Sequence, residues 1–384
     1  MSDNSGFPKG FLWGAATASY QVEGGIENVD WAQGARDGKL PLCGIATDHY
    51  HKYEADFDIA QSLGHNAHRF SIEWARIEPE EGKFDEKEIE HYRSVIRALK
   101  ARELEPFVTL WHFTLPLWFS NQGGFQNPKA PDQFARYCEH VIQKLGNEAT
   151  FWMTMNEPLI YANEAYLKGS WPPFEKSLFV MLTVVKNLIE SHNKTYEVLK
   201  RVNSKIQIGI AKNNFDFAYP KWNLIGAIVQ LFRKKVWNHY FLKRISAHQD
   251  FIGLNFYFHK HFGYHFYEEK SDMGWAIYPP AIYYVLRELK KYNKPVYVTE
   301  NGIADERDSK RANYILEHLK FVKKAIDSGV DVRGYFHWSL LDNFEWSFGF
   351  TKRFGLVEIN YETLERKIRP SALIYKKIIE SNVL

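Results

Sequence analysis

Two glutamates sit in short polar motifs that each follow directly on an apolar run: Glu157 in Met-Asn-Glu-Pro at 155–158 and Glu300 in Thr-Glu-Asn-Gly at 299–302. Two carboxyl groups facing one another across a cleft are what cleavage of a glycosidic bond requires. One protonates the leaving oxygen; the other attacks the anomeric carbon or activates water. The acid needs a raised pKa and its partner a normal or lowered one, so their surroundings should differ. Arg69 would favour an ionised Glu300, and Tyr257 could donate a hydrogen bond to it. Glu157 has no evident cation beside it in sequence.

The same residue types admit other chemistry. Either glutamate alone could be a salt-bridged carboxylate at a strand end. His112, Glu157 and Glu300 are also legitimate ligands for a binuclear metal site. The His-x-His spacings at 49/51 and 259/261 are expected on helix or loop apart from these residues, and no His-Glu-x-x-His is present, so no metal and no cofactor is expected. The 15 histidines are scattered, and His49, His51, His259, His261 and His265 are expected on solvated helix or loop.

Elements able to hold these residues recur along the chain. Runs rich in β-branched and aromatic residues occupy 11–17, 67–72, 106–112, 150–157, 206–213, 251–257, 295–301 and 332–340. Several are apolar on both parities, as Phe-Val-Thr-Leu-Trp at 107–111 shows, which is how strands buried on both faces read. Helical patterns follow most of them. Thr47 or Asp48 is expected to cap a helix that Gly64 stops, and Asp85 with Glu88 to form a capping pair. Further helices are expected near 132–145, 177–202, 281–292, 309–328 and 370–380. The segment 222–248 also reads as helical, with Arg233, Lys234 and Lys235 facing water.

Strand followed by helix eight times implies parallel strands with right-handed crossovers, closing into one (β/α)8 barrel over residues 1–384. A doubly wound open sheet is the competing fold. It should offer a glycine-rich first turn, where this chain reads Ala-Ser-Tyr-Gln at 18–21. A parallel barrel has polar groups to spare at the C-terminal ends of its strands. Those ends carry Gln21, Arg69, His112, Asn156 with Glu157, Asn213, Asn255 with Tyr257, Glu300, and Trp338.

Composition narrows the partners. The net charge of +3 is too balanced to argue for nucleic acid or a membrane surface, while 12 Trp, 22 Tyr and 28 Phe suit a large core, a surface for sugar rings, or both. Cys43 and Cys138 do not describe a cystine-stapled scaffold, and residues 1–10 lack a basic patch followed by an apolar core. A cytoplasmic protein is expected.

At its motifs the sequence resembles glycoside hydrolase family 1, the β-glucosidase/β-galactosidase family. The likeness covers nearly the whole chain: Phe-Leu-Trp-Gly-Ala-Ala-Thr-Ala-Ser-Tyr-Gln-Val-Glu-Gly at 11–24, Arg-Phe-Ser-Ile-Glu-Trp-Ala-Arg-Ile at 69–77 and Trp-His-Phe-Thr-Leu-Pro at 111–116. It continues in Thr-Met-Asn-Glu-Pro at 154–158, Val-Thr-Glu-Asn-Gly at 298–302 and Trp-Ser-Leu-Leu-Asp-Asn-Phe-Glu-Trp at 338–346. The resemblance implies a retaining β-glycosidase acting on β-glucosides, with β-galactosides and β-fucosides as secondary substrates. Glu300 would be the nucleophile and Glu157 the acid and then the base. Transglycosylation through the same intermediate and a catalytically dead sugar-binding protein are the alternatives. By the same resemblance Gln21, His112, Asn156, Glu345 and Trp346 would bind sugar hydroxyls, with Asn156 on the 2-hydroxyl. Trp338 would lie under the ring, with Phe354 and Trp346 near its far edge. Arg69, Asn255 and Tyr257 would support these groups.

Glu345 stands where relatives acting on 6-phosphorylated sugars receive phosphate, so an unphosphorylated glycoside or short oligosaccharide is expected. The chain is shorter than the family commonly is, notably between Pro220 and Asp250. That shortening predicts an open, shallow entrance.

Overall fold

The computed structural model describes residues 6–218, 224–261 and 269–384. Eight parallel strands close into a barrel: β1 (Leu12–Ala16), β2 (Ala67–Ser71), β3 (Glu105–Thr109), β4 (Phe151–Asn156), β5 (Gln207–Asn213), β6 (Phe251–Asn255), β7 (Val296–Asn301) and β8 (Val332–Trp338). Each hydrogen-bonds to its sequence neighbours, and β8 closes on β1 with Leu12 opposite Gly334 and Ala16 opposite Trp338. All eight expected strand runs lie in this sheet.

The strands are apolar on both parities because each face is covered. Outside lie the helices that follow them, among them His49–Ser62, Glu86–Ala101, Ala130–Leu145, Leu178–Val202, Pro280–Leu289, Arg311–Asp327 and Pro370–Ser381. Inside, the lower end of the barrel is filled by Ala67, Phe107, Met153, Ala211, Phe251, Tyr297 and Phe336. Phe107 is the hub of this plug, its ring centroid 4.3 Å from Phe151, 4.8 Å from Phe336 and 5.1 Å from Tyr297. A filled interior leaves only the upper end for polar groups, which fixes where chemistry can occur.

Several local expectations are corrected. Asp48 takes a left-handed conformation and makes no side-chain cap; it accepts from His51, while the Thr47 hydroxyl donates to the Val22 carbonyl. Gly64, at φ +76°, does stop that helix. Asp85 caps by accepting from the Lys87 amide, whereas Glu88 accepts from the Tyr50 hydroxyl 3.1 Å away instead of completing a box. His49 is buried with its Nδ1 2.7 Å from Asp56, and His259 is buried too, so neither is solvated. His265 and the start of the 222–248 segment lie outside the described residues. The remainder of that segment is helical over Leu224–Arg233, π-helical over Lys234–His239 and helical over Tyr240–Ile245. Lys235 faces water as expected, but Lys234 is drawn in to Glu288 at 2.7 Å, and Arg233 is half-buried.

Phe107→Ala is expected to lower the unfolding free energy by about 3–5 kcal/mol, because the rigid plug cannot collapse into the cavity. Chemical denaturation checks this, and a loss under about 1 kcal/mol would mean that the plug repacks freely.

Candidate active site

The strand ends are re-aimed by breaks in register. Leu254 pairs with Val298, yet Asn255 pairs with Glu300, so β7 gains a residue exactly where its carboxylate is needed; a similar slip between Met153 and Asn156 turns the end of β4. Glu157 itself lies at φ +42°, a left-handed conformation unusual for a side chain of this size, and its amide donates to the Ala211 carbonyl at 2.8 Å. At 302 the chain needs glycine because a Cβ would come within 1.8 Å of the Trp338 carbonyl oxygen. Gly302 thus lets the chain leaving β7 pass close against the end of β8.

Arg69 rises from β2 through the centre of the barrel and is fully buried. Its Nη1 forms an ion pair with Glu300 Oε1, its Nη2 donates to Asn156 Oδ1 at 2.8 Å, and its Nε donates to Thr109 Oγ1 at 3.1 Å. The Tyr257 hydroxyl donates to the other Glu300 oxygen. Asn255 links the halves of the site: its Nδ2 donates to Asn156 Oδ1 at 3.0 Å and to Glu157 Oε1 at 2.8 Å. Asn213 Nδ2 is a further donor to Glu157 at 3.3 Å. Glu300 is therefore gripped by a guanidinium and a phenol, and Glu157 by neutral amides.

Around this pair the structure gathers the other expected residues. Gln21, His112, Asn156, Trp338, Glu345, Trp346 and Phe354 line the same cavity as Glu157, Tyr257 and Glu300, while Arg69 and Asn255 brace it from below. Gln21 Nε2 donates to Asn343 Oδ1 and the Phe344 carbonyl at 2.9 and 2.8 Å, leaving its Oε1 without a protein partner. The imidazole of His112 meets Asn156 Nδ2 through Nε2 at 3.0 Å, and its Nδ1 has no protein partner. Because Arg69 and Asn255 already occupy the Asn156 oxygen, that side chain can offer a ligand only N–H. The rings of Trp338 and Trp346 flank His112, each 6.0 Å away and within 24° of parallel. Amide and imidazole groups with spare capacity beside indole faces match the polar edges and apolar C–H face of a pyranose.

Burial shapes the ionisation. Desolvation first, and then the charge of Glu300, push the Glu157 carboxyl up to about 8, against hydrogen bonds from Asn255 and Asn213. Glu345 is also raised to about 8, by burial and then by the two other carboxylates, so near neutral pH it can donate as well as accept. Its value against phosphate then rests on hydrogen bonding more than on a fixed negative charge. His112 is pulled well below its usual range by burial and by Arg69. Lys212, fully buried next to Asn213, is pulled down to about 7 by burial, with the charge of Glu157 opposing. It is the cation that sequence inspection missed near Glu157; a lysine pointing off a central strand was the available signal.

The entrance is not shallow. Glu300 and Glu157 are only 3% and 7% exposed, at the base of a cavity of about 860 Å³. Its outer wall comes from residues that local patterns did not mark: Trp171, Phe215, Phe217, Phe232, Val236 and Trp237. Trp275 also lines the cavity. Among the described residues no group of three His, Cys, Asp or Glu side chains is arranged to hold a metal ion.

A closed parallel barrel whose strand ends present this carboxyl pair in a sugar-sized cleft is the architecture of a glycoside hydrolase. The sequence profile of glycosyl hydrolase family 1 matches residues 3–245 and 237–384, and the chain belongs to that family. It is 35% identical over 442 aligned positions to beta-glucosidase A of Acetivibrio thermocellus, covering 98% of both chains. Among solved structures, the beta-glycosidase from Pyrococcus horikoshii superposes with a TM-score of 0.93 at 38% identity, covering 98% of this chain and 96% of that one. Beta-glucosidase from Thermotoga maritima in complex with glucoimidazole gives a TM-score of 0.95 at 31% identity, covering 99% and 100%.

Glu300→Gln is expected to bring the Glu157 carboxyl down from about 8 while leaving it above the ordinary carboxylate range, since burial, the larger cause, remains. Carboxyl-carbon NMR titration measures the change. An unmoved titration would show that the two carboxyl groups do not sense each other.

Proposed function

We propose that this enzyme is a retaining β-glycosidase, a single catalytic unit that releases terminal β-D-glucosyl residues by double displacement. The observation that carries this reading is the unequal setting of its two carboxyl groups. Glu300, held by Arg69 and Tyr257, is set up as the nucleophile that bonds to the anomeric carbon. Glu157, raised to about 8 in its amide-lined pocket, keeps a proton to give to the leaving oxygen. Once the glycosyl-enzyme forms, the charge on Glu300 is gone, and Glu157 can serve as base toward water. The two roles then alternate without any cofactor.

Sugar selection follows from the cavity floor. Gln21 and Glu345 lie 3.5 Å apart, Nε2 to Oε2; Gln21 Oε1 can accept from a hydroxyl, and Glu345 can donate to one or accept from it. A 4-hydroxyl of either orientation finds a partner there, which supports β-galactosides and β-fucosides as secondary substrates. Arg69, at the cavity floor, is already paired with Glu300, which disfavours a phosphorylated sugar at that position. The unpaired, buried Cys43 and Cys138 fit a reducing, cytoplasmic setting.

Glu300→Ala should cut kcat by about 10⁴-fold or more while glucose-like inhibitors still bind. NMR should show the β-anomer of glucose as first product from an aryl β-glucoside. Release of the α-anomer, or a fully active Glu300→Ala variant, would refute the mechanism. The basic limb of kcat/KM should fall as pH rises through about 8, because Glu157 is the competent acid only while protonated. Glu157→Gln should erase that limb and spare aryl glycosides with very good leaving groups.

A further inference from the structure

The connection from β5 to β6 carries a helix turned the opposite way from those of a globular protein. Along Leu224–Arg233 the outward residues are Ile225, Ile228, Leu231 and Phe232, exposed by 76, 68, 69 and 66%. Their spacing of three and four places them on one face, and Val236 prolongs it into the π-helical turn. A contiguous apolar face of this kind on a folded protein marks something it must contact.

Two observations identify the contact. First, the face is continuous with the active-site cavity: Phe232 and Val236 belong both to it and to the outer cavity wall, beside Phe217 and Trp237. Apolar side chains therefore run from the cavity's tryptophans out to the exposed helix, with Arg233, Lys168 and Lys260 also lining the cavity. Second, the helix is bordered by a groove in which Leu231 lies with Lys234, Lys235, Lys243 and Lys291. The one carboxylate lining that groove, Glu288, is engaged by Lys234; Lys235, Lys243 and Lys291 make no ion pair among the described residues. Apolar side chains flanked by unneutralised lysines are the signature of a helix lying in the boundary of an anionic lipid surface. No helix among the described residues is long and apolar enough to cross a membrane, so the contact is interfacial. A symmetric pairing of two chains over this face would bring the lysine groove near its own copy, which like-charge repulsion opposes.

We propose that this helix docks on an anionic lipid bilayer and that the enzyme draws from it β-glycosides whose aglycone is a long hydrocarbon chain. The helix seats its apolar face among the acyl chains while the lysines meet phosphate headgroups. The aglycone of the substrate then passes along Phe232, Val236 and Trp237 with its sugar over Trp338. The substrate half of the proposal rests on the β-glycosidase reading above; the docking half does not.

The test uses the full chain and vesicles of equimolar phosphatidylglycerol and phosphatidylcholine. Cosedimentation should be about tenfold stronger than with phosphatidylcholine alone and should weaken with salt. The double variant Ile225→Asn, Ile228→Asn, whose sites are exposed and outside the cavity, should lose about tenfold in vesicle binding. It should lose a similar factor in kcat/KM for dodecyl β-glucoside embedded in those vesicles, with nitrophenyl β-glucoside turnover unchanged. Wild-type protein that ignores the vesicles, or a variant that binds them equally well, overturns the docking. A stable wild-type dimer that the double variant dissolves in sedimentation velocity overturns it in favour of a second copy. Equal dodecyl glucoside turnover by both proteins despite lost binding overturns the substrate assignment alone. A wild-type enzyme inert toward nitrophenyl β-glucoside would instead refute the glycosidase reading and leave the binding result standing.

Discussion

The buried ion pair between Arg69 and Glu300 is the constraint on which the rest of the site depends. A guanidinium placed at the centre of a barrel loses its hydration, a cost that is recovered only if its N–H groups find acceptors in good geometry. Here Thr109, Asn156 and Glu300 supply them from three different strands. Satisfying Arg69 fixes Asn156; Asn156 holds Asn255 and meets His112; Asn255 holds Glu157. The arrangement is a chain of consequences in which no side chain can shift alone. Removing one partner of such a pair leaves an uncompensated buried charge, a cost of about 3–5 kcal/mol. The barrel tolerates the pair because the plug around Phe107 gives it a rigid floor.

Charge distribution then divides the labour. Two carboxyl groups share one desolvated cleft, and the arginine side is the only one that receives a fully charged donor. Neutral amides on the other side leave Glu157 to bear the cost of burial, which it meets by keeping its proton. Lys212, itself held by the carbonyl of Asn213 and by Asn214 Oδ1, is positioned to share the charge when that proton leaves. A low-dielectric site of this kind strengthens every fixed dipole acting on the transition state.

Much of the architecture was legible because the forces that build a parallel barrel act locally on composition. Strands buried on both faces must be apolar on both parities, and polar residues survive only at their upper ends, so Arg69, Asn255, Tyr257 and the two glutamates were found together. Features that depend on distant partners were not legible. Thr47 looked like a cap, but the Val22 carbonyl competes for its hydroxyl; Lys234 looked solvated, but Glu288, some fifty residues on, draws it in. The depth of the cleft was misjudged for the same reason. Trp171 comes from the β4–β5 connection and Phe217 and Trp237 from well-separated points of the β5–β6 connection, so no short sequence window contains them all.

Shortening has a physical consequence distinct from loss of function. The alignment with the Acetivibrio thermocellus relative spans 442 positions against 384 residues here, so that relative carries insertions which this chain lacks. Strands, plug and carboxyl network survive because each is braced from within the barrel. Connections have no such requirement, and trimming one uncovers whatever it rested on. A balanced net charge of +3 does not describe how charge is arranged at any one place on the surface. What matters for contact is local: lysines gathered beside Leu231, hydrocarbon on the adjoining face, and an apolar wall leading inward from both. With water as the only neighbour, selection would be expected to replace such side chains one polar substitution at a time, at little cost to the core. Their presence at the mouth of a working cleft is economical only if something apolar regularly arrives there.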